Sequence, residues 1–361
     1  TNSSFHRTKK KMDKMNTPST ILVTGGTGYI GSHTVVELIN KGFQVAIIDN
    51  LSNSHMEVID SIEAITGTRP FFANIDLNNK SAVQEFLRIH QVSAIIHFAA
   101  FKAVGESVDK PLEYYRNNLV SLINLLGICR DQKIRNFVFS SSCSVYGQPD
   151  YLPIDEFAAV KPAQSPYANT KKIGEDILRD ATGVLDVQVI SLRYFNPVGA
   201  HATAKIGEYP VGAPLNLFPI VTQTAIGKRS QMKVFGTDYD TADGSCIRDY
   251  IHVVDIARAH VVAIERMLNN SCKEKYELFN LGTGKGLSVL EIINAFTRVT
   301  GVPVNYECVD RRAGDVEKVY ADTAYANNEL GWKATHTLED MITSAWAWEQ
   351  VLRTKSLVTS K

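Results

Sequence analysis

The chain has 361 residues, 44% of them apolar and 21% charged, with 38 Lys plus Arg against 38 Asp plus Glu. That balance describes a folded globular protein of about two domains, excludes an intrinsically disordered chain, and argues against a nucleic-acid backbone as partner because no global positive field exists. Five scattered cysteines without a Cys-x-x-Cys exclude a disulfide scaffold and signal no metal site, so a reducing, cytoplasmic setting is expected.

The first 18 residues carry Arg7, Lys9, Lys10, Lys11 and Lys14 without the apolar stretch of a secretory signal, and read as a mobile tail. No apolar run reaches the ~18 residues of a membrane span, so no membrane partner is expected. From Thr20 onward, short β-rich runs at 21–23, 45–48, 94–98, 136–139 and 187–192 alternate with amphipathic stretches. Runs that are apolar on both faces belong to strands buried in a parallel sheet covered by helices. The predicted fold class is therefore α/β: a doubly wound parallel sheet over 19–195, then a smaller mixed α/β domain over 196–350. The shift to Gly, Pro and Asn after Asn196 marks the change, and the strand and helix expected within 249–281 partly return to the first domain.

Gly25, Gly28 and Gly31 follow the first strand directly and open the first helix, whose end is marked by Gly42. Without side chains, this loop can turn tightly and approach a pyrophosphate, whose charge meets the free N–H groups of the helix N-terminus. The next strand ends in Asp49, placed where an acid grips the adenosine ribose hydroxyls and repels a 2′-phosphate. NAD rather than NADP is the expected cofactor. Asp76 and Leu77 follow the third apolar run, and Phe98, Ala99, Ala100 and Lys102 the fourth, at strand ends where ligands of such sheets bind. Lys102 and Asn117 are candidates for holding the ribose or phosphates.

Ser165-Pro166-Tyr167-Ala168-Asn169-Thr170-Lys171 contains Tyr-x-x-x-Lys, a spacing that puts both side chains on one helix face. Ser165 suits the cap and Pro166 the first helical position, so Tyr167 falls in the first turn, near positive dipole charge. The ammonium, the dipole and a nicotinamide cation are expected to favour the phenolate. Bringing a phenol from pKa ≈ 10 to near 7 takes only ~4 kcal/mol. The fifth strand runs into Ser140-Ser141-Ser142-Cys143-Ser144-Val145-Tyr146-Gly147, which sets hydroxyls at another strand end, where one can bond a substrate oxygen. A serine nucleophile is not indicated, because no His and Asp accompany it in a nucleophile-elbow pattern.

With the motifs 24–33, 97–107, 192–200, 248–253 and 311–315, the chain resembles the extended short-chain dehydrogenase/reductase family over nearly all of 20–348, and within it the branch that epimerises UDP-hexoses at C4. The resemblance implies that Tyr167 is the base, Lys171 its pKa tuner and a ribose ligand, and Ser142 the partner of the sugar 4-oxygen. It adds Tyr29, Ile30, Asn50 and Tyr194 to the cofactor contacts. It assigns Asn196, Asn216, Leu217, Phe235, Arg248, Arg312 and Asp315 to the UDP-sugar. Val319, four residues after Asp315, stands where a bulky aromatic gates against an acetamido group, so UDP-N-acetylhexoses are expected as further substrates. The implied reaction is a redox loan: a transient 4-keto sugar with no net oxidation.

The resemblance also implies a homodimer through the stretch 109–130, whose Leu119, Leu122, Ile123, Leu125, Leu126 and Cys129 form an apolar surface wider than one helix face needs. Two positions depart from the family pattern, Ala100 for a usual Gly and Ala313 for a usual Glu. The related 4,6-dehydratases carry Asp-Glu where Cys143 and Ser144 stand here, and the related decarboxylases carry Glu at Ser144, so both activities lack their acid–base groups. A UDP-glucuronate 4-epimerase is the alternative enzyme, and an NAD-sensing module the non-enzymatic alternative, against which Tyr167 and Lys171 both stand.

Overall fold

Side chains alternate across a strand, so a run apolar at every position needs a hydrophobic layer on both sides. The computed structural model, which describes residues 19–312 and 315–359, shows those two layers; the basic tail over 1–18 and Ala313 lie outside the described residues. The chain begins with β1 (Thr20–Thr24), β2 (Gln44–Asp49), β3 (Phe71–Asn74), β4 (Ala94–His97), β5 (Asn136–Ser142) and β6 (Gln188–Tyr194). It continues through β7 (Asn196–Val198), β8 (Met232–Phe235), β9 (Ile247–His252), β10 (Tyr276–Leu281), β11 (Gly286–Ser288), β12 (Tyr306–Val309) and β13 (Lys318–Val319).

The main sheet has seven parallel strands in the order β10-β6-β5-β4-β1-β2-β3. Ile21, Val23, Val45, Ile47, Ile96, Val138 and Ile190 point to one face, against the helices Tyr29–Asn40 and Val253–Leu268. Leu22, Ala46, Ile48, Ile95, Phe137 and Val189 point to the other, against Lys80–His90, Ser121–Gln132 and Pro166–Val184. Connections run outward in opposite directions from β1 and β4, so the carboxyl ends of these two strands flank the crevice where ligands bind in open α/β sheets.

The later segments build a smaller unit over that end of the sheet. β7, β9, β11 and β13 form a four-stranded sheet, and β8 pairs with β12. Their core holds Phe218, Val221, Met232, Val234, Tyr250, Ile292, Phe296 and Ile342. Between β9 and β11 the chain crosses back: the helix Val253–Leu268 covers the main sheet and β10 extends it beside β6.

The stretch 109–130 is not one uniformly apolar helix. It comprises the end of the helix Val104–Asp109, then Pro111–Tyr115, a π turn at Arg116–Val120, and Ser121–Gln132. Leu122, Leu125, Leu126 and Cys129 have helical i, i+3, i+4, i+7 spacing, and all four are buried in the protomer's own core. The expectation that they face a partner is corrected. Exposed apolar side chains in and just before this stretch are Val104, Val108, Leu112, Val120 and Ile123, the last 53% exposed.

Candidate active site

The glycine loop joins β1 to the helix Tyr29–Asn40. Gly25 has φ +70°, and a Cβ on it would lie 2.7 Å from the Ala99 nitrogen, so the loop rests directly on the backbone after β4. At Gly31 a Cβ would lie 2.1 Å from the Gly25 carbonyl oxygen. Gly28 N–H donates to that same oxygen at 3.1 Å, and no side chain caps the helix that follows. Its first N–H groups are left for an external partner. Ile30 packs toward the first core, and Tyr29 donates its hydroxyl to the Gly199 carbonyl at 2.6 Å.

Asp49 ends β2 with its carboxylate against this loop: Oδ2 accepts from Thr27 N–H at 3.2 Å, and Oδ1 from Leu51 N–H at 2.9 Å and Ser54 Oγ at 3.2 Å. Beside it Asn50 donates to Asp76 at 3.2 Å, while the Leu77 side chain is buried in the second core. Phe98 packs on His260, and the Tyr194 hydroxyl lies 2.8 Å from His260 Nε2 with its ring in the first core. Ala99 and Ala100 carry the chain to Lys102, whose Nζ lies 3.2 Å from Glu208 and 6.0 Å from the Tyr29 ring centroid. Asn117 donates to Asn118 Oδ1 at 3.0 Å.

Ser165 caps the helix Pro166–Val184 by accepting Ala168 N–H at 3.2 Å, with Pro166 in the first turn. One turn apart on that helix, Tyr167 and Lys171 face the end of β5, with Lys171 Nζ 5.9 Å from the Tyr167 ring centroid and 5.1 Å from that of Phe139. The Ser142 hydroxyl lies close enough to Tyr167 to lower its phenol's pKa against burial. Ser142 Oγ accepts from Ser144 N–H at 3.2 Å and Ser144 Oγ at 2.9 Å. Tyr167 and Lys171 from this helix and Ser142 from β5 therefore meet at one strand end.

Electrostatics here differ from the sequence expectation. Burial pushes the Tyr167 phenol up to about 12, outweighing the lowering influence of the nearby Ser142 hydroxyl, so in the protein by itself the phenolate is not favoured. Burial likewise lowers the Lys171 ammonium to about 8, against the pull of Glu175 one turn further on. Glu175 is held by a bidentate pair with Arg193 at 2.8 and 2.5 Å and by the Ser141 hydroxyl at 2.5 Å. This buried pair ties the helix to β5 and β6 directly below the site.

Across the crevice, Asn196 opens β7 opposite Tyr250. Arg248 on β9 donates to the Ile247 carbonyl at 2.9 Å. Arg312 pairs with Asp315 at 2.7 Å, and its guanidinium lies 5.5 Å from the Phe235 ring centroid. Asn216 precedes the helix that opens with Leu217 and donates to Glu208 at 2.6 Å. Val319 lies in β13 opposite Arg248, buried among Val145, Tyr146, Ile154 and Phe195, with Cys143 against the same cluster.

Two residues were not singled out by sequence. Asn118 accepts from Phe101 N–H at 2.8 Å and donates to the Phe101 carbonyl and to Thr170 Oγ1, both at 3.0 Å, pinning the loop after β4 to the helix Pro166–Val184. Glu208 joins Lys102 to Asn216. Neither sits in a motif with a spacing rule, so only their contacts expose them.

The chain matches a family model described as GDP-mannose 4,6 dehydratase over residues 22–345. It is 48% identical to a UDP-glucose 4-epimerase of Bacillus subtilis over 91% of this chain and 96% of that one. A UDP-glucose 4-epimerase of Stenotrophomonas maltophila, solved with bound NAD and formylated UDP-arabinopyranose, superposes with TM-score 0.91 at 45% identity, covering 93% of this chain and 99% of its own. One from Bifidobacterium longum, in complex with NAD+ and UDP, gives TM-score 0.88 at 43% identity, with 92% and 98% covered.

Proposed function

Because the chain belongs to the extended short-chain dehydrogenase/reductase family and, within it, to the UDP-glucose 4-epimerases, we propose that Tyr167, Lys171 and Ser142 carry the proton chemistry of its reaction. That reaction is the NAD-dependent interconversion of UDP-glucose and UDP-galactose by transient oxidation at C4. The observation that carries the assignment is the meeting of these three side chains at the end of β5.

The glycine loop fits the dinucleotide, since the close approach of Gly31 to the Gly25 carbonyl leaves a backbone cradle that no side chain can fill. Gly25, Gly28, Tyr29, Ile30 and Gly31 would hold the pyrophosphate, with Asp49, Asn50, Asp76, Leu77, Phe98, Ala99, Ala100, Lys102, Asn117 and Tyr194 completing the cofactor site. Asp49 uses three acceptor directions within the chain, leaving capacity for a ribose hydroxyl, and its charge opposes a 2′-phosphate. When bound, NAD would supply the hydride acceptor for C4 and a positive charge that favours the Tyr167 phenolate.

Tyr167 takes the proton of the 4-hydroxyl while Ser142 holds the 4-oxygen and the Lys171 ammonium stabilises the phenolate. Arg248 and Arg312 suit the diphosphate as planar, charge-assisted donors, with Asn196, Asn216, Leu217 and Phe235 around the nucleotide and Asp315 toward a sugar hydroxyl. With the UDP end anchored, the 4-keto sugar turns over, so that the hydride held by the cofactor would return to its other face while Tyr167 returns the proton to the 4-oxygen. Incubation with UDP-galactose and with UDP-glucuronate separately, followed by chromatography, tests this: UDP-glucose forms from the first. Conversion of UDP-glucuronate alone would replace the substrate.

The packing of Val319, without an aromatic ring, favours UDP-N-acetylglucosamine and UDP-N-acetylgalactosamine as additional substrates. The exposed Val104, Val108, Leu112, Val120 and Ile123 support a homodimer. The five free cysteines suit the cytoplasm, and among the described residues no helix is long and apolar enough to cross a membrane. The division proposed is a cofactor domain over 19–195, to which 249–281 partly returns, and a UDP-sugar domain over 196–350.

A further inference from the structure

Glu208 holds no role in the chemistry above, yet one of its carboxylate oxygens serves both sides of the crevice. Oε1 accepts from Lys102 Nζ at 3.2 Å and from Asn216 Nδ2 at 2.6 Å. Its side chain is only 11% exposed, against 49% for that of Lys102. The backbone around it is held from outside the crevice. Trp348 Nε1 donates to the Glu208 carbonyl at 2.9 Å, and a Cβ on Gly207 would lie 2.5 Å from Trp348 Cδ1, so the chain lies flat against the indole. On the other flank, Tyr209 stacks on His55 with centroids 4.1 Å apart and meets Trp348 edge-on. The carboxylate is thus presented on a fixed frame between two ligand-facing side chains.

We propose that Glu208 is a positioning residue shared by the two sites, setting Lys102 for the cofactor and Asn216 for the UDP-sugar with a single oxygen. This rests on the proposed function for the roles of Lys102 and Asn216. An Asn amide can present either its carbonyl or its amino group to a ligand. An anionic acceptor fixes the choice by drawing Nδ2 toward itself, leaving the second N–H and the carbonyl in defined directions. A half-exposed lysine contributes little when paired alone and samples many rotamers. Sharing an acceptor that is already held by Asn216 and by the Trp348 frame restricts it. Lys102 in turn lies over Tyr29, which is bonded to the Gly199 carbonyl, so the frame continues to the helix after the glycine loop.

The two halves of the role separate by substitution. Glu208→Ala removes both bonds, whereas Glu208→Gln keeps an acceptor for Asn216 and loses the charge that holds Lys102. Rates of NAD loss from the holoenzyme, calorimetric UDP affinity and the KM and kcat for UDP-galactose are measured for both, beside Lys102→Met and Asn216→Ala. Hydrogen bonds to a charged group set the scale. Glu208→Ala is expected to weaken UDP binding about tenfold, raise KM similarly, and speed NAD loss about tenfold, with kcat within about threefold. Glu208→Gln should keep UDP affinity within about threefold yet lose NAD as fast as Lys102→Met, and Asn216→Ala should show the UDP defect alone. Unchanged NAD loss and UDP affinity in Glu208→Ala overturn the proposal. So does an equal UDP defect in both Glu208 variants, or a uniform drop in kcat and melting temperature without the split. A wild-type protein that fails to epimerise UDP-galactose would instead overturn the functional reading, because the binding measurements stand independently of turnover.

Discussion

Lys171 donates to the Ser140 carbonyl oxygen at 2.6 Å, so the lysine of the helix Pro166–Val184 is anchored to the strand that ends in Ser142. The ammonium is held beside Tyr167 by the backbone itself, and its position does not depend on a flexible side-chain partner. Tyr167→Phe should lower kcat by ~10² to 10⁴ with UDP affinity retained. In Lys171→Met the phenol, already pushed up to about 12 by burial, loses the ammonium 5.9 Å from its ring centroid and should rise further. Activity in that variant should therefore recover as pH is raised, and a pH–rate profile whose acid limb stays at the wild-type position would remove Lys171 from its tuning role.

Gly31→Ala should abolish NAD retention, because the added Cβ would lie 2.1 Å from the Gly25 carbonyl oxygen. Gly183→Ala meets no atom within 4 Å and serves as the matched control. Wild-type activity should depend on NAD, and support by NADP to the same extent would take Asp49 out of the ribose site. Absorbance and mass spectrometry of cofactor released from each purified protein decide the first point.

Val319→Tyr should suppress conversion of the N-acetylated UDP-sugars while sparing UDP-galactose, since a ring would add bulk beside Val145, Phe195 and Cys143. Steric discrimination of this kind is worth ~1 to 3 kcal/mol, so the wild type should show dual activity without strong preference. Absence of wild-type turnover of UDP-N-acetylglucosamine would sink the idea.

Light scattering at micromolar concentration should give a dimer mass for the wild type and a monomer mass for a Leu112→Glu/Ile123→Glu double variant. These two side chains are 78% and 53% exposed, so charging them leaves the protomer's core untouched. A monomeric wild type would refute the dimer.

Glu156 predicts a pH dependence of stability. Its Oε1 accepts Asn280 N–H at 2.7 Å. Burial outweighs that bond and raises the carboxyl from about 4.5 to about 7. Over that interval the folded state keeps a proton that the unfolded chain has lost. The associated stability is fully present below about 4.5 and disappears as pH rises through about 7, by at most ~3 kcal/mol. Glu156→Gln should melt at a higher temperature than wild type at pH 8 and converge with it near pH 4.5, and parallel melting curves across that range would contradict the assignment.

The α/β class with a parallel sheet was legible in the sequence because it rests on local facts. A strand buried on both faces must be apolar at every position, as 21–23 and 94–96 are, and a backbone cradle must lack side chains where Gly25 and Gly31 stand. The helix start at Ser165-Pro166 is equally local, since a cap and a first-turn proline act within four residues.

Tertiary structure decided everything that depends on which surfaces meet. The partial return of 249–281 to the first domain is expected from sequence, but no spacing rule says that β10 takes the place beside β6, or that Leu122, Leu125, Leu126 and Cys129 turn inward, because periodicity defines an apolar face without naming what covers it. Charges near Tyr167 are visible in sequence and argue for a lowered phenol; desolvation by the assembled site, which only packing reveals, reverses the sign. Asn118 and Glu208 escaped notice for the same reason. A single polar residue acquires its meaning from the partners that folding brings within hydrogen-bond distance, and for Glu208 those partners lie 106 residues away at Lys102 and 8 away at Asn216.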